Sequence, residues 1–454
     1  MPLDPAPLHF RSALLANGWA VGVRIESRGG IITRIETGVP SMPGDETHAI
    51  ALPGLPNLHS HAFQRGMAGL AERRGSSDDS FWTWREVMYR FLEHLGPEDV
   101  RAVAALAYME MLETGFTRVG EFHYLHHAPD GRPYADPAEM AAAITAAAAE
   151  TGIGLTLLPV FYAHSGFGGR PPGEGQRRFI CNIDQFERLR AGCLAALAIL
   201  PDAVLGAAPH SLRAVTPDEL KELLALATDG PIHIHVAEQV REVDECREWS
   251  GRRPVRYLLD QVDLNDRWCL VHATHMNRAE SRRVAASGAI AGLCPITEAN
   301  LGDGLFSTEP FLAASGGYGV GSDSNILIDA AEELRLLEYG QRLHTHGRNV
   351  LAGADNASCG ATMFGAALAG GARALGVRAG IDKGLAADIV SLDANHPSLI
   401  GRAEDRLLDS WIFAAGRGGV DCVWRRGQRV VSRGRHKARE EIVARYGRSI
   451  SRLL

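Results

Sequence analysis

The sequence predicts an α/β fold in which eight parallel β-strands alternate with helices and close into a TIM-type (β/α)8 barrel. Three observations support this prediction. Short apolar, β-branched runs recur along most of the chain, longer segments of helical spacing separate them, and eight such runs are the number that closes a barrel. The expected strands are residues 51–59, 117–124, 154–162, 203–210, 231–238, 268–274, 290–296 and 317–324.

Segments with the apolar spacing of amphipathic helices separate these strands. The expected helices include residues 98–114, 137–151, 183–200, 217–228 and 278–287. One of them has a complete start signal, because Thr216 is an N-cap residue type, Pro217 follows it directly and Glu219 lies three residues after the cap. The Gly/Pro-rich stretch from Gly166 to Gly175 interrupts the alternation. It is expected to be a mobile loop over one barrel mouth, with a plain surface insertion as the alternative.

The two ends of the chain have a different pattern. Residues 8–50 and 385–435 contain short β segments with glycine turns and no long helix. Two such segments that flank a barrel most economically form one small sheet domain. The sequence therefore predicts a small β-sandwich domain built from both chain ends, residues 1–50 and 380–454, around a catalytic barrel of residues 51–379.

The composition excludes several classes of protein. The 454 residues include 47 basic and 54 acidic side chains, for a formal charge of −7, and no Lys/Arg-rich run suggests binding to nucleic acid or to an anionic membrane. No stretch of about 18 apolar residues indicates a membrane span. The first five residues lack the features of a signal peptide, and the seven cysteines are scattered without a Cys-x-x-Cys pair. We therefore expect a cytoplasmic protein without a nucleic-acid or membrane partner.

Histidines and carboxylates lie where four of the expected strands end. In a β/α barrel these carboxyl ends form the active-site mouth. The residues concerned are His59 and His61 after the first strand, His235 and Glu238 after the fifth, His272 after the sixth and Asp323 after the eighth. Each of them alone is more often structural, but four strand ends that present them together indicate a metal centre. Three imidazoles and an aspartate suit a borderline divalent ion such as Zn²⁺, and Fe²⁺ accepts the same donors.

Two other histidine pairs test this interpretation. His344 and His346 fall in an expected helix, residues 332–351, where side chains two positions apart point about 200° apart and cannot share one ion. His233 lies two residues before His235 and could face the same side of its strand. Spacing alone does not decide whether His233 or His235 is the metal ligand.

These motifs resemble the amidohydrolase superfamily over nearly the whole chain. The resemblance rests on Pro53-Gly54 before His59-Ser60-His61, on His235, His272 and Gly321-Ser322-Asp323, and on residues 384–390. Within the superfamily the sequence is similar to the N-formimino-L-glutamate deiminases of histidine degradation. That likeness rests on residues 57–65, 81–85, 121–124, 210–213 and 233–239.

The resemblance implies a role for each strand-end residue. The metal ligands are expected to be His59, His61, His235 and Asp323, with His235 selected over His233 because it carries the Val-Ala-Glu continuation. Asp323 is expected to accept a proton from the attacking water, His272 to orient that water, and Glu238 to bind and protonate the amidine nitrogen. A purely orienting role for Glu238 remains an alternative.

The scarcity of lysine predicts a single metal ion. Binuclear superfamily members bridge two ions with a carboxylated lysine at the end of the fourth strand. That strand ends Ala207-Ala208-Pro209-His210 here, and Lys221 lies roughly two to three helical turns further on. One divalent ion, most simply Zn²⁺, is the expected cofactor.

The subfamily motifs also imply how the substrate is bound. A dicarboxylate calls for arginines in fork geometry, and Arg85 and Arg213 occupy the matching positions. Gln64, Tyr124 and His210 are expected as hydrogen-bonding neighbours, while Trp82 and Trp84 are expected to be structural. The resemblance further implies a homodimer. Two alternatives stay open, namely another mononuclear deaminase acting on a purine, pterin or triazine ring, and a catalytically inactive barrel scaffold.

Overall fold

The computed structural model describes residues 6–74, 80–353 and 356–454. The strands are β1 (Leu8–Leu15), β2 (Gly18–Arg28), β3 (Ile31–Glu36), β4 (Glu46–Pro53), β5 (Leu55–Ser60), β6 (Phe116–His123), β7 (Gly154–Phe161), β8 (Val204–Leu205), β9 (Ala208–Pro209), β10 (Ile232–Val236), β11 (Trp268–His272), β12 (Ile290–Leu293), β13 (Gly317–Val320), β14 (Ile389–Leu392), β15 (Val420–Arg425), β16 (Gln428–Ser432) and β17 (Arg435–His436). The first five residues, on which the expectation about a signal peptide rests, lie outside the described residues.

The helices alternate with the strands from β5 to β13. They are α1 (Phe81–Leu92), α2 (Pro97–Glu113), α3 (Glu139–Thr151), α4 (Ile183–Leu197), α5 (Pro217–Leu226), α6 (Val240–Ser250), α7 (Pro254–Gln261), α8 (Arg278–Ser287), α9 (Pro295–Leu301), α10 (Thr308–Leu312), α11 (Ala330–Thr345), α12 (Cys359–Ala374), α13 (Asp405–Ser410) and α14 (Arg439–Leu453). Thr216 caps α5 by accepting a hydrogen bond from the Glu219 amide, as its sequence predicts. None of the helices in these ranges is long and apolar enough to cross a membrane.

The parallel barrel is formed by β5 to β13 in chain order. One sheet contains β5 to β8 with β9 paired to β7, and the other contains β10 to β13. Isolated parallel bridges complete the ring, one between Ser211 and His235 and one between Ser60 and Asp323. The predicted barrel is confirmed, and its fourth strand is divided into the two short pieces β8 and β9.

Strands from both ends of the chain pair in one eight-stranded sheet. Its order is β17-β16-β15-β14-β4-β1-β2-β3, and the central contact joins β14 from the C-terminal part to β4 from the N-terminal part. This pairing agrees with the expectation that the two ends come together. That the sheet folds into a β-sandwich, and that the domains divide at residues 50 and 380, stay predictions.

The first barrel strand begins later than predicted. Residues 51–53 belong to β4 of the small sheet, and the barrel strand starts at Leu55. The chain changes sheet at Gly54, whose amide donates to the Asp388 carbonyl over 3.1 Å. A Cβ at Gly54 would lie 2.2 Å from the Thr117 side chain, so only glycine allows this close passage.

A buried charged network joins the small sheet to the barrel. Arg425 at the end of β15 reaches Asp202 over 2.8 Å and also pairs with Asp388. Arg118 on β6 contacts the same Asp202 carboxylate over 2.7 Å. The Arg425 side chain is only 4% exposed, so its charge depends on these carboxylates. The network therefore fixes the sheet against the amino-terminal end of the barrel strands.

We expect the Arg425→Ala variant to lower the free energy of unfolding by about 3 kcal/mol, because it leaves a partly buried Asp388 without its guanidinium partner. Urea unfolding followed by tryptophan fluorescence measures this change. Arg429→Ala is the control, since that side chain is 46% exposed where it pairs with Glu46, and its loss should cost less than about 1 kcal/mol. Equal effects of the two variants would show that the network does not hold the sheet in place.

Candidate active site

The metal-ligand candidates lie where the barrel closes between its first and last strands. The Asp323 amide donates to the His59 carbonyl over 2.9 Å, and the His61 amide donates to the Asp323 carbonyl over 2.9 Å. The two strands approach closely because residue 321 is glycine, where a Cβ would lie 2.7 Å from the His59 nitrogen. The backbone bonds that close the barrel therefore also bring these three side chains together.

Four side chains converge on one point beside this junction. His59 Nε2 lies 3.2 Å from His61 Nε2 and 3.1 Å from His235 Nε2. Asp323 Oδ1 lies 3.4 Å from His59 Nε2 and 3.2 Å from His61 Nε2. His233 is excluded from this cluster, because its Nε2 contacts the Ala374 carbonyl over 2.7 Å. The structure thus brings together the four predicted ligands and separates His233 from them.

The hydrogen bonds of the Nδ1 atoms, which face away from the cluster, indicate that the cluster fits a cation. His61 Nδ1 donates to the Phe122 carbonyl over 2.9 Å, and His235 Nδ1 donates to the His210 carbonyl over 3.0 Å. Burial lowers the pKa of both imidazoles, so each is neutral and carries its lone pair on Nε2. Lone pairs and a carboxylate that face one point repel one another unless a cation lies between them. The donor set therefore fits a divalent metal ion.

The proposed catalytic residues lie next to this cluster. His272 Nε2 is 3.8 Å from Glu238 Oε1 and 3.8 Å from Asp323 Oδ2. Burial raises the pKa of Glu238 to about 7, although the charges of His272 and Arg213 oppose this effect. Burial alone would lower the pKa of His272, but the neighbouring Glu238, Glu298 and Asp323 raise it well above its usual value. A carboxyl group that exchanges a proton near neutral pH thus lies beside the metal-ligand cluster.

The backbone is strained at three of these strand ends. His272 has φ of 65°, Asp323 has φ of 44°, and Ala237, next to Glu238, has φ of 53°. Residues with side chains rarely adopt this left-handed conformation, which costs of order 1 kcal/mol at each position. The strain turns the chain sharply at the barrel mouth and directs the side chains toward a common space.

That space is a cavity that contains all five predicted substrate-binding residues. Its lining comprises Gln64, Arg85, Tyr124, His210 and Arg213 together with His61, His235, Glu238, His272, Asp323, Phe81, Trp84, Met88, Tyr89, Tyr162, Phe179 and Leu301. The structure therefore places the predicted ligand, catalytic and substrate-binding sets at one site. No residue from Gly166 to Gly175 is part of this lining, so the role of that loop as a lid stays a prediction.

Trp84, which we expected to be structural, packs against the hydrophobic core and also lines the cavity. Trp82 contacts three guanidinium groups, with the Cζ atoms of Arg241, Arg85 and Arg213 at 4.3, 4.6 and 5.9 Å from its ring centre. The buried Nε atoms of Arg85 and Arg213 have no hydrogen-bond partner among the described residues. An aromatic ring thus holds two arginines that have unused donors at the cavity.

Sequence reasoning missed several cavity residues. Tyr162 follows β7 directly, so the strand-end rule could have found it. Phe179 and Leu301 come from loop and helix segments whose approach to the barrel mouth has no local signal. Glu298, whose carboxylate contacts His272, was also missed, because it lies on the short helix α9.

The expected helix from 332 to 351 is too long. Helix α11 ends at Thr345, and His346 has a left-handed backbone with φ of 55°. The carboxylate of Glu338 accepts hydrogen bonds from the amides of Val350 and Leu351, which folds the following segment back. His344 and His346 belong to none of the groups of three or more potential metal ligands found in the part of the chain that the structure describes.

Comparison with known proteins identifies the family. A family model described as "Amidohydrolase family" matches residues 50–430. This chain belongs to the amidohydrolase family. A model described as "Formimidoylglutamate deiminase HutF, N-terminal domain" matches residues 7–49. Amidohydrolases depend on metal ions, in agreement with the His/Asp cluster at the barrel mouth.

Individual amidohydrolases cover the whole length of the chain. Formimidoylglutamate deiminase from Pseudomonas aeruginosa is 50% identical over 449 residues, which are 97% of this chain and 98% of that protein. The crystal structure of an amidohydrolase from Brucella melitensis has a TM-score of 0.96 at 55% identity and covers 99% of both chains. An adenosine deaminase from Xanthomonas campestris, solved with bound zinc, shares the fold with a TM-score of 0.81 at 22% identity over 100% of this chain and 99% of that one.

We expect the His235→Ala variant to lose most of its bound metal, because it removes one of four converging donors. Elemental analysis of the purified, dialysed protein measures the content. His233→Ala is a matched control from the same strand, and it should keep the metal because its imidazole contacts a backbone carbonyl instead. Loss of metal from the His233 variant alone would contradict the assignment of ligands.

Proposed function

We propose that this amidohydrolase converts N-formimino-L-glutamate and water to N-formyl-L-glutamate and ammonia, as a step of histidine degradation. The observation that carries the proposal is one cavity that combines the His/Asp cluster, Glu238 and the two arginines Arg85 and Arg213. The name of the Pseudomonas aeruginosa relative, 50% identical over nearly the whole chain, supports the same reaction. The protein is a hydrolase of C–N bonds.

One divalent ion, Zn²⁺ in our proposal and Fe²⁺ as the alternative, would be held by His59, His61, His235 and Asp323. When bound, it supplies Lewis acidity that makes water a nucleophile at neutral pH. The position of the lysines supports a single ion, because Lys221 lies on α5 and contacts the exposed Asp218 over 3.5 Å. No lysine is among the residues that line the cavity.

The side chains around the cluster can move the protons that hydrolysis requires. Asp323 faces the cluster and can accept the proton of the attacking water, while His272 hydrogen-bonds and orients that water. Glu238 holds a proton near neutral pH and can deliver it to the amidine nitrogen. A carbon–oxygen bond forms, the bond from carbon to the terminal nitrogen breaks, and ammonia leaves. Each proton that water loses is thus returned to the leaving nitrogen.

The remainder of the cavity is suited to a dicarboxylate. Arg85 and Arg213 have unused N–H donors, and guanidinium forks bind carboxylates through paired hydrogen bonds. Gln64 donates to the Tyr124 hydroxyl over 2.8 Å, which fixes both side chains, and the Gln64 oxygen has no partner among the described residues. His210 lies between Tyr162 and His235, with ring centres 4.4 and 5.0 Å away. We assign these side chains to the polar groups of the substrate.

A second candidate function is deamination of a purine, pterin or triazine ring, which is consistent with a fold shared with an adenosine deaminase. Two arginines whose buried Nε atoms have no hydrogen-bond partner among the described residues argue against an uncharged ring as the substrate. Measurement of ammonia release from N-formimino-L-glutamate, adenosine and guanine separates the two. Turnover of the rings alone would contradict our proposal.

We expect Arg85→Met and Arg213→Met each to raise KM for N-formimino-L-glutamate by about 10- to 100-fold, because each removes charge-assisted hydrogen bonds worth about 1.5–3 kcal/mol. Steady-state kinetics with two truncated substrates show which carboxylate each arginine binds. The two are the N-formimino derivatives of 4-aminobutyrate and 2-aminobutyrate, which lack one carboxylate each. Each variant should stop discriminating against one of these truncated substrates.

The control for the arginine variants is Arg252→Met, since Arg252 pairs with Asp260 at the outer surface over 3.1 Å. It should leave KM unchanged for all three compounds. If the cavity variants continued to discriminate against both truncated substrates, these arginines would not bind the carboxylates.

We expect Glu238→Gln to retain its metal and to lose about 10²- to 10⁴-fold in kcat, because the amide cannot donate the proton that leaves with ammonia. Steady-state turnover and elemental analysis of the same preparation measure both quantities. Near-normal turnover would remove the proposed role, and loss of metal would support the alternative in which Glu238 only orients a ligand.

We further propose that the protein is a cytoplasmic homodimer. All seven cysteines are buried free thiols, which suits a reducing compartment. Tyr339 and Leu343, one turn apart on α11, are 39% and 78% exposed and offer apolar surface to a second copy. Light scattering of the purified protein measures the oligomeric state.

A further inference from the structure

We propose that Glu298 is a positioning residue, which acts through His272 by fixing the orientation of its ring. The proposal depends on the proposed function, because the reaction it affects is the hydrolysis assigned above. Glu298 lies on α9, outside the motifs that carry the family resemblance. Its carboxylate contacts the His272 ring on the side that faces away from the metal-ligand cluster.

The contact between the two side chains is direct and buried. Glu298 Oε1 lies 3.2 Å from His272 Nδ1. His272 and Glu298 are 1% and 5% exposed, so water does not compete for this hydrogen bond. The same Oε1 accepts from the Cys294 amide, so it acts as an acceptor, and Nδ1 donates to it.

The backbone holds Glu298 rigidly in this position. Its Oε1 also accepts a hydrogen bond from the Cys294 amide over 2.9 Å. Its own amide donates to the Cys294 carbonyl over 2.8 Å, and its carbonyl accepts from the Asp303 amide over 2.9 Å. Because one backbone bond fixes the carboxylate and two more fix the main chain of Glu298, the carboxylate can determine the orientation of the imidazole rather than adapt to it.

The consequence for the reaction lies at the opposite nitrogen of the ring. With Nδ1 bound to Glu298, Nε2 points between Glu238 and Asp323, at 3.8 Å from an oxygen of each. This is the space that the attacking water and the amidine carbon must share. Without Glu298, the ring can turn about its Cβ–Cγ bond, and a buried Nδ1–H loses its acceptor.

A different use of these side chains is a second metal site. Ligand atoms of His272, Cys294 and Glu298 all lie within 4.8 Å of one another. We favour the hydrogen bond, because Oε1 already accepts two N–H groups, from His272 and from Cys294. The metal content of the Glu298 variants distinguishes this alternative from the hydrogen bond.

The test is a double-mutant cycle between Glu298 and His272, measured as turnover of N-formimino-L-glutamate. Glu298→Ala should lower kcat by about 10- to 100-fold and leave KM and metal content unchanged. Glu298→Gln should stay within about threefold of the original kcat, because the amide oxygen can accept from both His272 and Cys294. In a His272→Ala background, Glu298→Ala should cause no further loss, since the ring that it positions is gone.

Glu333→Ala is the matched control for support of α9. Glu333 is a fully buried carboxylate that accepts from the Ile296 amide of the same helix over 3.0 Å. Its effect on kcat should be the same in the presence and in the absence of the His272 imidazole. If Glu298 had only a structural role, Glu298→Ala would also lower kcat equally with and without the His272 imidazole. The double-mutant cycle therefore distinguishes a positioning role from a structural one.

Three results would overturn the positioning role while the parent enzyme still releases ammonia from N-formimino-L-glutamate. They are an unchanged kcat in Glu298→Ala, an equal loss from Glu298→Ala in both His272 backgrounds, and loss of a second equivalent of metal from Glu298→Ala. Failure of the proposed function itself is distinguishable, because the unsubstituted protein would then not release ammonia from this compound.

Discussion

Two backbone hydrogen bonds hold the rest of the site in place, those between His59, His61 and Asp323 that join the first barrel strand to the last. A parallel barrel has no free edge once these strands pair, so the same bonds complete the fold and bring the metal donors together. A metal ion held by these donors would therefore link folding to metal binding. An ion that binds only the closed barrel stabilises it in proportion to its free concentration.

The polar residues under this junction have their hydrogen bonds satisfied within the protein. The Ser322 amide donates to Asn57 over 3.1 Å, and the Ser322 hydroxyl donates to Asn325 over 2.6 Å. The Asn325 amide group in turn donates to Ser60 and to the His61 carbonyl, at 3.1 Å each. A half-satisfied network at this depth would destabilise the barrel. The complete one fixes the strand ends at the geometry that the donors need.

The sequence was sufficient for the parts of the site that belong to the strands. Periodicity located the strands, the barrel rule placed their ends at one mouth, and His59, His61, His235, His272 and Asp323 followed from that rule. The choice of His235 over His233 needed the family resemblance, because both lie on the same strand, and the structure explains it through the contact of His233 with Ala374. Most strand ends are thus predictable because an apolar run marks where a strand stops.

Residues that reach the cavity from helices and loops could not be predicted in the same way. The positions of Trp84 and Glu298 depend on how α1 and α9 pack against the barrel, which no spacing within those helices specifies. The first barrel strand was placed too early because residues 51–53 are apolar in either sheet, and only the passage of Gly54 past Thr117 decides where the chain crosses. Tertiary packing overrides local pattern at each of these positions.

The net charge of −7 gives no information about a small substrate, because binding of a small molecule depends on the charges that line the cavity. Arg85 and Arg213 place positive charge beside Trp82, and the carboxyl groups of Glu238 and Asp323 lie around His272, with the Arg213 guanidinium 4.0 Å from Glu238. An amidine is cationic at neutral pH, and N-formimino-L-glutamate carries it at the end opposite to one of its carboxylates. Arginines that pair with the carboxylates and carboxyl groups that face the amidine would together place the reacting carbon of such a molecule at the His/Asp cluster. An uncharged ring would gain nothing from this arrangement, which is why the charges inside the cavity are a better guide to the substrate than the fold.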